Sequence, residues 1–271
     1  MMLLFGWKVR WRLRQGPDAA AELGPRAVKH LIRALEDPRL RTTAADALVR
    51  IGTPARPALL KRLKTRRGAQ KAVEVLGRLR PRTDPSPLVP FLQDPSAPMR
   101  RTAAKAIARQ GGSLSFTVLS ESLSDADPGV RRIAVAYLLR STDPRAIRQM
   151  VRLAAHGDED LSRQAAARIG QLGYLAVGPL VEALRTSDEV LRGTIGYLMD
   201  VLEDNESLVI LAKALEEDDP RIVEPVRATF LRKGPEVAPI LAPLAVHPDA
   251  RVRKTALGLL ARWDSASPVF A

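Results

Sequence analysis

Residues 27–52 read AVKHLIRALEDPRLRTTAADALVRIG, and this stretch decides the fold. Val28, Leu31, Ile32 and Leu35 recur at helical spacing and make one apolar face. Asp37-Pro38 then breaks the run. Aspartate can cap a following helix, and proline is tolerated in a first turn, where its missing N–H would be unpaired anyway. Leu40, Ala44, Ala45, Leu48 and Ile51 make a second apolar face. Gly52 follows where a helix can end on a left-handed residue. The stretch predicts two helices joined by a short turn.

The pattern returns along the chain. Met99-Arg100 recurs as Val130-Arg131, Leu161-Ser162, Leu191-Arg192, Ile222-Val223 and Val252-Arg253, in steps of 31, 31, 30, 31 and 30 residues. A period held that tightly marks a solenoid. Eight units fit, at 27–52, 55–79, 84–111, 114–141, 145–173, 176–202, 205–234 and 237–263. The second is about three residues short near Arg66–Gly68. Asp94-Pro95, Asp127-Pro128 and Asp219-Pro220 repeat the turn, and Pro87, Pro179 and Pro239 share a column early in the first helix. Ala pairs such as Ala103-Ala104 and Ala165-Ala166 let successive helices approach closely. Aromatic residues are only 4% of the chain, so the apolar mass is Ala, Leu, Val and Ile. One unit cannot bury both of its faces, so units must stack. No stretch alternates convincingly enough to propose a strand. The expected layout is a cap at 1–26, one continuous array at 27–263 and a tail at 264–271.

These residues resemble HEAT repeats, specifically the short bacterial type also seen in phycobilin lyases. The pattern there is AVxxLIxAL, a DP turn, then VRxxAAxALGxIG. Ala27–Leu35 and Leu40–Gly52 match it, and Leu161–Gly173 (LSRQAAARIGQLG) matches the second half without its arginine. The resemblance covers about nine-tenths of the chain. It implies an all-α, right-handed α-solenoid of about eight two-helix repeats. It says little of function, because that family includes scaffolds, lyase subunits and DNA-binding enzymes.

Chemistry is scarce. With no cysteine, disulfides and thiol catalysis are excluded. His30, His156 and His247 lie far apart in sequence, and none is followed by glutamate, whereas deoxyhypusine hydroxylases hold iron with His-Glu pairs. Asp158-Glu159-Asp160 and Glu216–Asp219 sit at inter-helix turns and read as solvated caps rather than cation sites. GxSxG, GxxxxGK[ST] and GxGxxG settings are absent. Trp7, Trp11 and Trp263 are terminal, and Tyr137 and Tyr197 read as core or groove fillers, which leaves the chain without the catalytic group of the HEAT-like DNA glycosylases. The expectation is a protein that is not an enzyme, with no cofactor, no metal and no small-molecule substrate.

Charge is the informative remainder. Lys plus Arg number 43, of which 34 are Arg, against 30 Asp plus Glu, a net of +13. Residues 1–150 hold 29 basic and 12 acidic residues, and residues 151–271 hold 14 and 18. In this kind of array the second helices line a concave face. The last variable position of VRxxAAxALGxIG reads Arg50, Arg78, Arg109, Arg140, Gln171, Val201, Arg232 and Arg262, and the first reads Thr42, Gln70, Arg101, Arg132, Arg163, Gly193, Glu224 and Lys254. The candidate partner- or phosphate-binding residues are therefore Lys71, Arg78, Arg101, Lys105, Arg109, Arg132, Arg140 and Arg163. The competing reading is a solvated face whose arginines cover apolar surface and pair with acids of neighbouring units. Arg41, Arg100, Arg131, Arg192 and Arg253, from the VR pair, are read as a structural ladder with turn aspartates.

Residues 1–14, MMLLFGWKVRWRLR, do not read as a secretory signal, because the charges follow the short apolar run. They are read as a cap covering the first unit with Leu3, Leu4, Phe5 and Trp7. The second reading is a basic interfacial anchor with Trp7 and Trp11 at the lipid boundary. A membrane is otherwise not an expected partner, and the expected compartment is cytoplasmic. The function expected is a non-enzymatic scaffold holding a macromolecule in its groove. The partner would be an acidic protein surface or, as the alternative, a duplex nucleic-acid backbone gripped by the basic half.

Overall fold

The computed structural model describes residues 2–65 and 68–264. Arg66 and Arg67 of the short second unit, and the tail from 265, lie outside the described residues. The described elements are all helical, and they fall into two compact units, Met1–Tyr137 and Leu138–Ala271.

Unit 1 begins with α1 (Met2–Gln15) and α2 (Pro17–Ala21). The repeats then run as α3 (Val28–Ala34) with α4 (Arg41–Ile51), and α5 (Arg56–Leu63) with α6 (Ala69–Arg78). A 3-10 helix (Ser86–Gln93) pairs with α7 (Ala97–Gln110), and α8 (Ser113–Glu121) pairs with α9 (Pro128–Leu138). Unit 2 pairs α10 (Pro144–His156) with α11 (Glu159–Leu172), and α12 (Tyr174–Leu184) with α13 (Glu189–Asp200). It continues with α14 (Asn205–Lys213) and α15 (Pro220–Lys233), and ends with α16 (Ala238–Leu241) and α17 (Ala250–Asp264). The eight helix pairs fall on the eight sequence units.

Local chemistry places the boundaries. Asp143, Asp158, Asp188, Asp204 and Asp219 each cap a helix by accepting a backbone N–H of its first turn. Asp158 and Asp219 thus spend carboxylate oxygens on helix starts. Gly52, Gly111, Gly173 and Gly234 end second helices at φ between +53° and +85°, which side chains rarely tolerate. The first helix of the third repeat is 3-10, and Pro90 inside it lacks the N–H that an α-turn would use there.

Second helices stack through small residues. Ala44, Ala45, Ala72, Ala103, Ala104 and Ala106 are buried in one core with Leu48, Leu76 and Ile107. The approach is tightest where α6 crosses α7: a methyl added at Gly77 would stand 2.4 Å from Cα and Cβ of Ala106. Nearby, the buried Gln110 amide donates to the Leu76 and Gly77 carbonyls at 2.9 and 3.0 Å, and its oxygen accepts the Thr83 N–H at 2.6 Å. These bonds satisfy carbonyls left over at the end of α6. In unit 2 the same layer is filled by Ile169, Ile195, Leu198, Val226 and Phe230.

The cap differs from expectation in one respect. Phe5, Val9 and Leu13 face the first repeat, and Val9, Leu13 and Ala20 are buried. Trp7 is 69% exposed. The helix phase puts Trp7 about half a turn away from Phe5, Val9 and Leu13. The side chains of Leu3 and Leu4 lie outside those described. α2 rests on α4, and α1 on α3, so the two N-terminal helices take the places of one more repeat.

The stacking yields opposite effects for two glycines. Gly77→Ala should overpack the α6–α7 contact and cost about 1–3 kcal/mol. Gly193→Ala, at an open position of α13 with nothing within 4 Å of the new methyl, should stabilise by up to about 1 kcal/mol. Denaturant midpoints of the two variants should move in opposite directions.

Candidate interaction face

The candidate cations stand on or beside second helices, on the side that does not enter the stack. In unit 1, several are already engaged. The Lys71 ammonium donates to Glu74 at 2.7 Å. Arg78 donates to Asp46 at 2.6 Å and lies 3.8 Å from Glu74. Arg101 holds Asp127 with two parallel bonds of 2.9 and 3.0 Å. Lys105, Arg109 and Arg132 are exposed and face no acid among the described residues. Arg101, Lys105 and Arg109 are spaced four apart and form one stripe along α7. In unit 2, Arg140 is exposed just beyond the end of α9, again with no acid partner among the described residues. Arg163 lies 3.9 Å from Glu159, both largely exposed, a geometry that contributes little.

One offset separates engaged from unengaged arginines among Arg50, Arg78, Arg109, Arg140 and Arg232 of the last variable column. Arg50 reaches Asp18 at 3.0 Å, Arg78 reaches Asp46 at 2.6 Å and Arg232 reaches Asp200 at 2.7 Å. Each partner lies 32 residues earlier, one second helix back. The residues 32 before Arg109 and Arg140 are Gly77 and Ala108, which offer no carboxylate. Two first-column side chains reach forward instead: Gln70 bonds Thr102 Oγ1 at 3.0 Å, and Arg101 bonds Asp127.

The VR arginines are structural, but their partners differ from expectation. Arg100 donates to the Asp94 and Pro95 carbonyls, Arg131 to those of Asp125 and Ala126, and Arg253 to those of His247 and Pro248. Each bridges back six and five residues and caps the exposed carbonyls of the turn after the first helix. Arg192 does the same with Ser187 alone, at 3.2 Å. Backbone carbonyls, not aspartates, are thus the common acceptor, and the Arg41 Nε is buried without a partner. Arg100 alone among these five also grips a turn carboxylate, Asp125, at 2.9 and 3.0 Å. That hydrogen bond, working against burial and aided by the Asp127 N–H, holds the Asp125 carboxyl below the usual aspartate range.

These geometries agree with the family comparison: the model for HEAT repeats matches residues 66–140 and 85–169. Residues 66–169 thus carry HEAT repeats. No curated protein matches it. Among solved structures it is similar to an engineered protein at 16% identity and a TM-score of 0.42, over 92% of this chain and 80% of that one. It is similar to human deoxyhypusine hydroxylase at 17% identity and a TM-score of 0.36, over 91% and 99%. A designed armadillo repeat protein aligns at 19% identity and a TM-score of 0.28, over 76% and 98%.

No group of three or more His, Asp or Glu suited to a metal occurs among the described residues. Two histidines have packing or capping roles. His30 meets the Phe5 ring edge-on at 5.6 Å, and His247 Nδ1 accepts the Asp249 N–H at 3.1 Å. No described helix is long and apolar enough to cross a membrane. One feature of unit 2 was not anticipated from sequence. A groove of about 910 Å³ runs between α13 and α15, floored by Gly193, Gly196 and Ala228 beside the exposed Tyr197. Two glycines three apart in LRGTIGY were its visible signal.

The Asp125 carboxylate contributes stability fully above the ordinary aspartate value of about 4, and that contribution disappears as pH falls through its lowered value. Asp125→Asn should lower the melting temperature at neutral pH. The difference from the parent should shrink on acidification, and melts recorded from neutral pH to pH near 2 check this.

Proposed function

We propose that this protein is a non-enzymatic HEAT-repeat binding scaffold. In this reading the second-helix face of unit 1 takes up an acidic protein surface through Lys105, Arg109 and Arg132. The observation that carries it is the division between engaged and unengaged cations: the HEAT fold uses Lys71, Arg78 and Arg101 in its own ion pairs and leaves these three in solvent. Exposed like charges on neighbouring helices raise one another's potential within about a Debye length, roughly 8 Å at physiological salt. The composition agrees, because residues 1–137 carry 26 basic and 11 acidic residues while 138–271 carry 17 and 19. Arg140 and Arg163 belong to unit 2 and are a separate contact in this reading.

Two variants test it against polyglutamate and a short DNA duplex, each labelled and titrated over several salt concentrations. Lys105→Gln/Arg109→Gln/Arg132→Gln should keep the parent's melting temperature and lose most of its affinity for polyglutamate. Arg78→Gln, whose cation Asp46 already engages, should keep the parent's affinity and change its melting temperature little. A duplex bound more tightly than polyglutamate, with a logarithmic salt slope that flattens by about three in the triple variant, would move the reading to nucleic-acid backbone. Binding of neither probe at low salt would sink it.

A further inference from the structure

We propose that α1 is an interfacial anchor for an anionic lipid surface as well as the cover of the first repeat. The helix has two apolar faces, and the fold uses only one. Phe5, Val9 and Leu13 are spaced four apart and close the core. Trp7 and Trp11, also four apart, stand on the opposite side, 69% and 46% exposed. Neither indole supports the stack, and exposed tryptophan is costly unless something covers it.

The charges around them point to what covers them. α1 contains Lys8, Arg10, Arg12 and Arg14 and no acidic residue. Arg12 is engaged: it lies 3.5 Å from Glu22, and its guanidinium sits 5.8 Å from the Trp11 ring centre. Lys8, Arg10 and Arg14 are exposed. At 100° per residue, Lys8 flanks the tryptophan stripe on one side, and Arg10 and Arg14 flank it on the other. Indoles in the centre with cations at the margins suit the boundary of an anionic bilayer: the rings sit at headgroup level, the cations meet lipid phosphates and carboxylates.

The shape agrees. The stripe is a ridge on one helix, which a soft interface can receive without a preformed cleft. Single-stranded nucleic acid is instead bound by aromatic rings lining a positive groove. At 14 residues, α1 is about 21 Å long and would lie in the plane of the surface, not across it.

The experiment is flotation of the full chain with vesicles of phosphatidylcholine containing phosphatidylserine, and with phosphatidylcholine alone. The parent should float with the anionic vesicles only. Trp7→Ala/Trp11→Ala should keep the parent's melting temperature, since both rings face solvent, and lose at least about tenfold in vesicle partitioning. Lys105→Gln/Arg109→Gln/Arg132→Gln should float like the parent, which separates this site from the face discussed above. No flotation of the parent at low salt, or equal flotation of the double tryptophan variant, overturns the proposal. So does loss of flotation in the triple variant. A double tryptophan variant that loses duplex DNA binding, with a parent that never floats, would assign the stripe to nucleic acid instead.

Discussion

The closest approach between successive second helices governs this protein. Where Gly77 meets Ala106, there is no room for one additional methyl group. Contacts of that kind set the spacing at which neighbouring helices stack. The spacing in turn sets which side chains can meet. In unit 1 an arginine at the end of one second helix reaches the aspartate of the helix before it across a layer of alanine and glycine, as in Arg50–Asp18 and Arg78–Asp46. In unit 2 Arg232 reaches Asp200 across larger side chains. As partly exposed pairs they add little energy of their own, and their main effect is to remove cations from the surface.

The fold was legible because its signals are redundant. The apolar period recurs in every repeat, most turns carry an aspartate, and four second helices end at a glycine. The candidate face was legible only in part. A column of arginines is visible in sequence, but their availability depends on what stands 32 residues upstream, slightly more than the period of 30 or 31. Asp18, Asp46 and Asp200 were present in the sequence. What was missing was the backward tilt of the arginine side chain across the helix interface. The forward reach of Arg101 to Asp127 follows a different offset, so no single comparison of repeats exposes both.

The N-terminal helix shows a different limit. Its composition invites the view that all of its large apolar residues serve one purpose. Helical phase divides them instead, with Phe5, Val9 and Leu13 on one side and Trp7 and Trp11 on the other. Fourteen residues are too few for a periodicity argument to separate two apolar stripes from one broad one. The VR arginines illustrate the same point at atomic scale. Sequence identified them as structural, yet carbonyl acceptors carry no sequence signature, so the partners emerged only with the backbone in view.

The 3-10 segment Ser86–Gln93 has a consequence for how the third repeat assembles. Pro90 withdraws one of its amide donors, and its remaining turns use the strained geometry of i to i+3 bonding. Such a peptide has little reason to be helical by itself. It is shaped by the surface of α7, on which Leu88 and Leu92 are buried. The third repeat is thus not two helices that form and then dock. One partner is a template and the other is moulded to it, so contact with α7, more than its own hydrogen bonding, holds Ser86–Gln93 in shape.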